Sequence, residues 1–344
     1  MNIKNLLFFC GFGLLVTTAQ ANVADPLFAI QGLKVGQISD PKGLTGVTVL
    51  RFDAGATAAV DVRGAAPGTR ETALLAPENL VEQVHAIVLS GGSAFGLDAM
   101  SGVAAQLEQE GIGFDVGVAK VPIVTGAVLF DLAFGDPQAR PNFAMGKQAT
   151  AQAQRQQFEQ GNAGAGMGAV VGKIRGMDHA TKGGIGRAVV TLENGVIVAA
   201  IVAVNAWGDV VDRQGQPLAA TRNDYGDAFI NGTEWLRQGL QSRGFAGRNT
   251  TIGAIVTNAT LTKSQALKVA QMAHDGFARA IRPVHSMYDG DTIFAAATGE
   301  VATMDVNLLG VIAAEVMEDA IHHAVNAATA IGGLPANRDI LITP

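Results

Sequence analysis

Two apolar stretches constrain this chain more than any other feature. Arg187 to Leu192 and Val196 to Val204 are strand-like runs joined by Glu193-Asn194-Gly195. Asn-Gly supplies the positive φ angles that a tight hairpin turn needs. Further on, Thr251-Ile-Gly-Ala-Ile-Val-Thr257 is an apolar run of the length of a buried strand. Each is flanked by polar residues of chemical interest. The hairpin runs straight into Asn205, and Asn249-Thr250 stands at the mouth of the later strand.

The other elements come in runs as well as in alternation. Ile30 to Arg51 reads as opening strands. His85 to Ser90 reads as a buried strand, leading through Gly91-Gly92-Ser93-Ala94-Phe95-Gly96 into a helix that reaches about Glu110. Val121 to Asp131 is a further buried extended run, and Asn142 to Gln160 is an Ala/Gln-rich helix. Thr262-Lys-Ser-Gln265 has the capping-box pattern and opens a helix through Ala280. Thr292 to Ala297 is a strand, and Asp305 opens a long Ala-rich helix ending near Gly332-Gly333. This order predicts sheets sandwiched between helical layers, not a doubly wound parallel sheet. Gln214 to Gly247, crowded with polar residues and glycine, predicts a flexible surface linker that ends at Asn249-Thr250. Arg63 to Thr72 reads as a long loop, either a solvated connector or a wall of a binding site.

The N-terminus reads as a targeting segment. Lys4, the apolar run Leu6 to Val16 and the small-residue site Ala19-Gln20-Ala21 predict removal after Ala21, a mature chain of 22–344 and a secreted or periplasmic location. The sole cysteine, Cys10, lies in that segment, so the mature chain has no disulfide or thiol nucleophile. Only 16% of residues are charged, which argues for a sizeable core. Glycine, 43 of 344 residues, is nearly double the usual share of about 7% and suggests close backbone packing. A formal charge of −6 gives no basic stripe for nucleic acid.

The glycine turn at Gly91 to Gly96 fits neither the dinucleotide fingerprint nor the P-loop, and Ser93 lacks the G-x-S-x-G elbow. Close helix–strand packing explains it better. The six histidines are scattered, with no H-E-x-x-H, so metal binding is weakly supported and no metal ligand is assigned, although Asp289-Gly290-Asp291 is also of a common metal-binding pattern. His274 and His285 flank Asp289 but read as core or solvent-facing side chains.

A different chemistry is written at Asn249-Thr250. The plain reading is a polar strand cap. The sharper one is a self-cleavage point, started by attack of Thr250's own hydroxyl on the Asn249 carbonyl. Cleavage would leave Thr250 with a free α-amine, which titrates near pH 7.7–8.0 and can take the hydroxyl proton. Asp289-Gly290-Asp291 places two carboxylates on one face at i, i+2, where they could orient that amine and hydroxyl. They would also raise the amine's pKa, an effect that a cation such as Lys173 or desolvation must offset. An acidic strand-end turn explains the same residues. Asn205 could donate its amide to an oxyanion, or be an ordinary turn asparagine.

Taken together, several stretches resemble the self-processing L-aminopeptidase/D-amidase-esterase family, which includes β-peptidyl aminopeptidases and the nylon-oligomer hydrolase. They are Gly32 to Gly36, Arg63 to Thr72, Ser90 to Ala99, Val204-Asn205, Asn249-Thr250 and, most specifically, Ala273 to Phe294. The resemblance implies an α/β (α+β) fold, a four-layer αββα sandwich, and a precursor cut into 22–249 and 250–344. It implies Thr250 as nucleophile, Asp289 and Asp291 as its supporting pair, Asn205 as oxyanion donor and Lys173 as a site lysine. Phe130 stands where some relatives have a tyrosine, in the substrate pocket. The substrate would be a short peptide or oligoamide, with no cofactor, no membrane attachment after leader removal, and homo-oligomers of the cut units. Acyl transfer of the ornithine acetyltransferase type, and an inactive binding protein on the same fold, are the alternatives.

Overall fold

The computed structural model describes residues 25–239, 249–302 and 305–340. Residues 1–21, expected as a leader, therefore lie outside the described residues, as do 240–248 of the polar approach to Asn249. Among the described residues, nine strands join in one mixed sheet: β1 (Leu33–Asp40), β2 (Thr45–Val62), β3 (Gly68–Arg70), β4 (Gln83–Ser90), β5 (Val124–Val128), β6 (Gly184–Thr191), β7 (Ile197–Asn205), β8 (Thr250–Ala259) and β9 (Thr292–Val301). Their order is β6-β7-β8-β9-β2-β4-β5-β3, with β1 paired to β2. The hairpin read around Asn194-Gly195 is β6–β7, in antiparallel register. β8 runs parallel to β9, and β4 parallel to β5.

Strand β2 makes this one sheet into two layers. At 18 residues it is far longer than the usual strand of about 5–6. Its first half pairs with β1 and β4, its last six residues with β9. The register against β4 shifts between Arg51 and Ala56, where Gly55 adopts φ 81°. Irregularities of this kind bend a strand and increase its twist.

Side-chain alternation then sorts three cores. On β7, Val198, Ala200, Val202 and Val204 face a core shared with the helices α4 (Lys263–Ala280) and α5 (Val306–Ala327), which follow α1 (Asp98–Gln109), α2 (Phe143–Ala151) and α3 (Gly232–Arg237) in the chain. The intervening Ile197, Ala199, Ile201 and Ala203 face Leu50 and Phe52 of β2 and Ile87 and Leu89 of β4 across the middle of the molecule. Val47, Val49, Ala86 and Val88 point the other way, onto α1 and α2. The layers are thus helix, sheet, sheet, helix, as expected, except that β2 connects the two β layers into one hydrogen-bonded sheet. Each large side chain buried in the middle, such as Phe52 or Phe294, contributes about 1.5–3 kcal/mol.

Local expectations were met unevenly. Thr262 and Gln265 form the capping box at the start of α4, and Asp305 caps α5, which ends at Ala327, short of Gly332. Helix α2 stops at Ala151, not Gln160, because Gln154 exchanges two main-chain hydrogen bonds with Val35 of β1. The stretch read as a linker from Gln214 contains a strand, Pro217–Ala219, and α3, capped by the Asn231 side chain. The glycine turn after β4 serves close packing: a Cβ on Gly91 would come within 2.1 Å of Asp131 Oδ2.

Candidate active site

The layer formed by β7, β8 and β9 brings the separated motifs together. Asn205, the last residue of β7, lies opposite Thr250, the first of β8. Asn249, just outside β8, forms a parallel bridge with Asp289, just before β9. Thr250, Asn205, Asp289, Asp291 and Lys173 are all buried. The order of strands, not proximity in the chain, assembles the site.

Around the Asn249–Thr250 bond the geometry is specific. The Thr250 hydroxyl donates to the Asn249 carbonyl oxygen, and the Gly290 N–H donates to that same oxygen at 3.1 Å. Asp291 accepts the Thr251 N–H on Oδ1 at 2.8 Å, and both the main-chain N–H and Nδ1 of His285 on Oδ2, at 3.0 and 2.9 Å. Asp289 accepts the Trp207 N–H on Oδ1 at 3.2 Å, and the N–H and hydroxyl of Ser286 on Oδ2. These are the partners of the two carboxylates in the intact chain, whereas the expectation that they orient the Thr250 amine and hydroxyl concerns the cleaved one. The Asp291 carboxylate holds the backbone N–H of Thr251, next to Thr250, while that of Asp289 holds Trp207 and Ser286, and the Thr250 nitrogen is still a peptide nitrogen within β8. His285 and Ser286, in the segment just ahead of the acid pair, are partners the sequence reading missed. Their only signal was that spacing.

Lys173 comes from the turn after the short strand Val170–Val171. Its ammonium donates to both the main-chain oxygen and Oδ1 of Asn205, each at 2.9 Å. Burial pushes its pKa well below the ordinary lysine range, while Asp289, Asp131 and Asp291 pull it back up. Burial, and then the neighbouring Asp291 carboxylate, push Asp289 above the ordinary carboxylate range. The Asn205 Oδ1 also accepts the Val170 N–H at 3.0 Å, so its Nδ2 turns to the Phe130 carbonyl oxygen at 2.8 Å. Phe130 thus meets the site through its main chain, and the residue is half-buried.

Two more buried charges lie behind this layer. Asp131 accepts the Thr45 hydroxyl at 2.6 Å and the Gly92 N–H at 2.7 Å. Burial pushes its pKa up to about 6 against those hydrogen bonds and Lys182. Lys182 is fully buried, and its ammonium donates to the carbonyls of Gly166, Ala169 and Gly183 at 2.8, 2.8 and 3.1 Å. Burial pushes it down to about 7, opposed by Asp131. Three carbonyl acceptors call for three N–H donors, which a neutral amine lacks, so the cradle itself favours the charged form.

The Arg63 to Thr72 segment is tied by its main chain to the acid pair, with Arg63, Ala65, Pro67 and Glu71 exposed. Arg63 and Gly64 donate their N–H groups to the Asp291 carbonyl, and the Ala66 N–H donates to that of Asp289 at 2.9 Å. Part of the segment is strand β3, where a loop was expected. Trp207 and Tyr288 pack with ring centroids 4.9 Å apart beside Asp289.

The four-layer sandwich has counterparts among solved structures. The chain superimposes on a β-aminopeptidase from Burkholderia with a TM-score of 0.66 at 22% identity, covering 89% of this chain and 88% of that one. It matches the L-aminopeptidase D-Ala-esterase/amidase of Ochrobactrum anthropi, described as a variant of the Ntn hydrolase fold, with a TM-score of 0.67 at 18% identity, covering 91% and 90%. The fold is thus of the Ntn hydrolase type. Residues 25–338 match the model of peptidase family S58, and the chain belongs to that family of hydrolases. It is 40% identical to an uncharacterized aminopeptidase of Mycobacterium leprae, over 89% of this chain and 91% of the relative. It is 33% identical to the 6-aminohexanoate-oligomer endohydrolase of Kocuria, over 86% and 85%.

Proposed function

We propose that this hydrolase is a self-cleaving aminopeptidase or amidase in which Thr250 is the nucleophile, acting on amide bonds of short peptides or oligoamides. The observation that carries the proposal is the buried Asn249–Thr250 junction, with the Thr250 hydroxyl folded back onto the carbonyl of its own peptide bond. A bond this enclosed is poorly accessible to an outside protease but well placed for attack from within. Once cut, residues 22–249 and 250–344 form the two chains. The new Thr250 amine then takes the hydroxyl proton as the nucleophile attacks substrate, giving an acyl-enzyme that water resolves. Asn205 serves as oxyanion donor in turnover, and Lys173 supplies positive charge that opposes the effect of Asp289 and Asp291 on the amine. The Phe130 ring borders the substrate. The names of the relatives support both a terminal aminopeptidase and an oligoamide hydrolase. Secretion after removal of residues 1–21, and assembly of the cut units into homo-oligomers, complete the proposal.

A denaturing gel tests it. The purified protein should run as two fragments, with N-terminal sequencing of the smaller starting at Thr250. Thr250→Ala should give one intact chain without amidase activity on aminoacyl amides and short oligoamides. An uncleaved but fully active Thr250→Ala protein would overturn the mechanism.

A further inference from the structure

We infer that the main-chain N–H of Gly290 is the oxyanion donor for cleavage of the Asn249–Thr250 bond, a task separate from the one Asn205 performs in turnover. The inference rests on the self-processing proposal above and assigns a group to its first step. The step itself balances as an acyl shift followed by hydrolysis. The bond from Thr250 Oγ1 to the Asn249 carbonyl carbon forms and the carbon–nitrogen bond breaks. The hydroxyl proton ends on the Thr250 nitrogen, which becomes the free amine. Water then splits the ester, releasing the Asn249 carboxylate and restoring the hydroxyl. During the first step, negative charge collects on the Asn249 carbonyl oxygen.

That oxygen already has its donor. The Gly290 N–H reaches it at 3.1 Å in the intact chain. The peptide unit that carries this N–H is pinned at both ends, because its carbonyl, that of Asp289, accepts the Ala66 N–H at 2.9 Å. A planar peptide held on both sides cannot swing as charge develops, the condition under which an oxyanion donor is most effective. The position also demands glycine. A Cβ on residue 290 would come within 2.5 Å of the Ala66 oxygen and 2.8 Å of Thr250 Oγ1, pressing on the nucleophile itself.

Asn205 is committed elsewhere at this stage. Two donors, Val170 N–H and the Lys173 ammonium, hold its Oδ1, and its Nδ2 donates to the Phe130 carbonyl. Among the described residues its amide donates to Phe130 and makes no hydrogen bond to the Asn249 oxygen, which the Gly290 N–H and the Thr250 hydroxyl serve. The Gly290 donor is matched to the peptide bond in the strand, and the Asn205 donor is left for the acyl group that later sits on Thr250.

Two full-length variants separate the tasks. In the first, glycolic acid incorporated at position 290 by suppressor-tRNA translation replaces the Gly290 N–H with an ester oxygen and adds no side chain. The second is Asn205→Ala. Gel time courses measure cleavage, and hydrolysis of an aminoacyl amide is measured per cleaved molecule, with thermal melting confirming the fold. The ester should slow cleavage by about 10²–10³-fold and hydrolysis per cleaved molecule by much less. Asn205→Ala should show the opposite split. Cleavage of the ester variant at the parent rate, or equal losses of both activities in each folded variant, would overturn the inference and leave self-processing standing. A parent protein that never cleaves would instead bring down the self-processing proposal, and this inference with it.

Discussion

Lys173 and Lys182 are two buried lysines, one just after the short strand Val170–Val171 and the other on the strand Thr181–Lys182 that pairs with it, and both feel the Asp131 carboxylate. They differ in what they hold. Lys182 donates to three main-chain carbonyls and clamps the Gly166–Ala169 turn onto Gly183. Lys173 donates to the two oxygens of Asn205, a side chain of the candidate site, and faces Asp289 and Asp291 as well. Residue type and burial are the same, so only the acceptors distinguish a backbone staple from a charge that acts on the site.

The largest test of that contrast is Lys182→Met. It removes the donor from three carbonyls, and each buried orphan costs about 1–3 kcal/mol. A loss of about 3 kcal/mol or more should lower the melting temperature by roughly 6–12 °C, read by calorimetry or circular dichroism. The fraction that folds should still be active. Lys173→Met should behave the other way, with the smaller change in melting temperature but a fall in hydrolysis of about 10² or more. Its pH–rate profile should also move. Without the cation, Asp289 and Asp291 raise the Thr250 amine's pKa unopposed, so activity should appear only at higher pH. If the two variants exchanged these signatures, the assignment of staple and site lysine would be broken.

The smallest expected effect comes from Asp131→Asn, which sharpens the comparison because Asp131 acts on both lysines. Its folded pKa of about 6 lies above the ordinary 3.8. The folded state therefore binds this proton more tightly than the unfolded state. That contribution is fully present below about pH 4 and is lost as pH rises through about 6. Asp131→Asn should flatten this part of the stability profile in denaturant titrations at stepped pH. It should also leave Lys173 with a lower pKa, since one of the charges raising it has gone.

Much of the architecture was legible because it follows from local rules. The Asn194-Gly195 turn, the alternation along β7 and the capping box at Thr262 each depend on residues close together in the chain. The site was legible only in part. Thr250, Asn205, Lys173 and the acid pair do meet, yet nothing in the sequence beyond spacing marked His285 and Ser286 as the acid pair's partners. Asp131 and Lys182 carried no pattern that marks a buried charge. Helix α2 ended early for a similar reason, since Gln154 was taken by a strand far away in sequence.

By itself, then, the sequence determined the buried strands, the helix starts, the Asn249-Thr250 junction and the residue types available for amide chemistry. Each is a matter of propensity, capping or covalent neighbourhood. Only the tertiary structure decided which carbonyls each lysine serves, that β2 passes from one layer to the other, and that the Gly290 N–H meets the Asn249 oxygen. Those outcomes depend on the order and register of strands, which set distances between residues far apart along the chain.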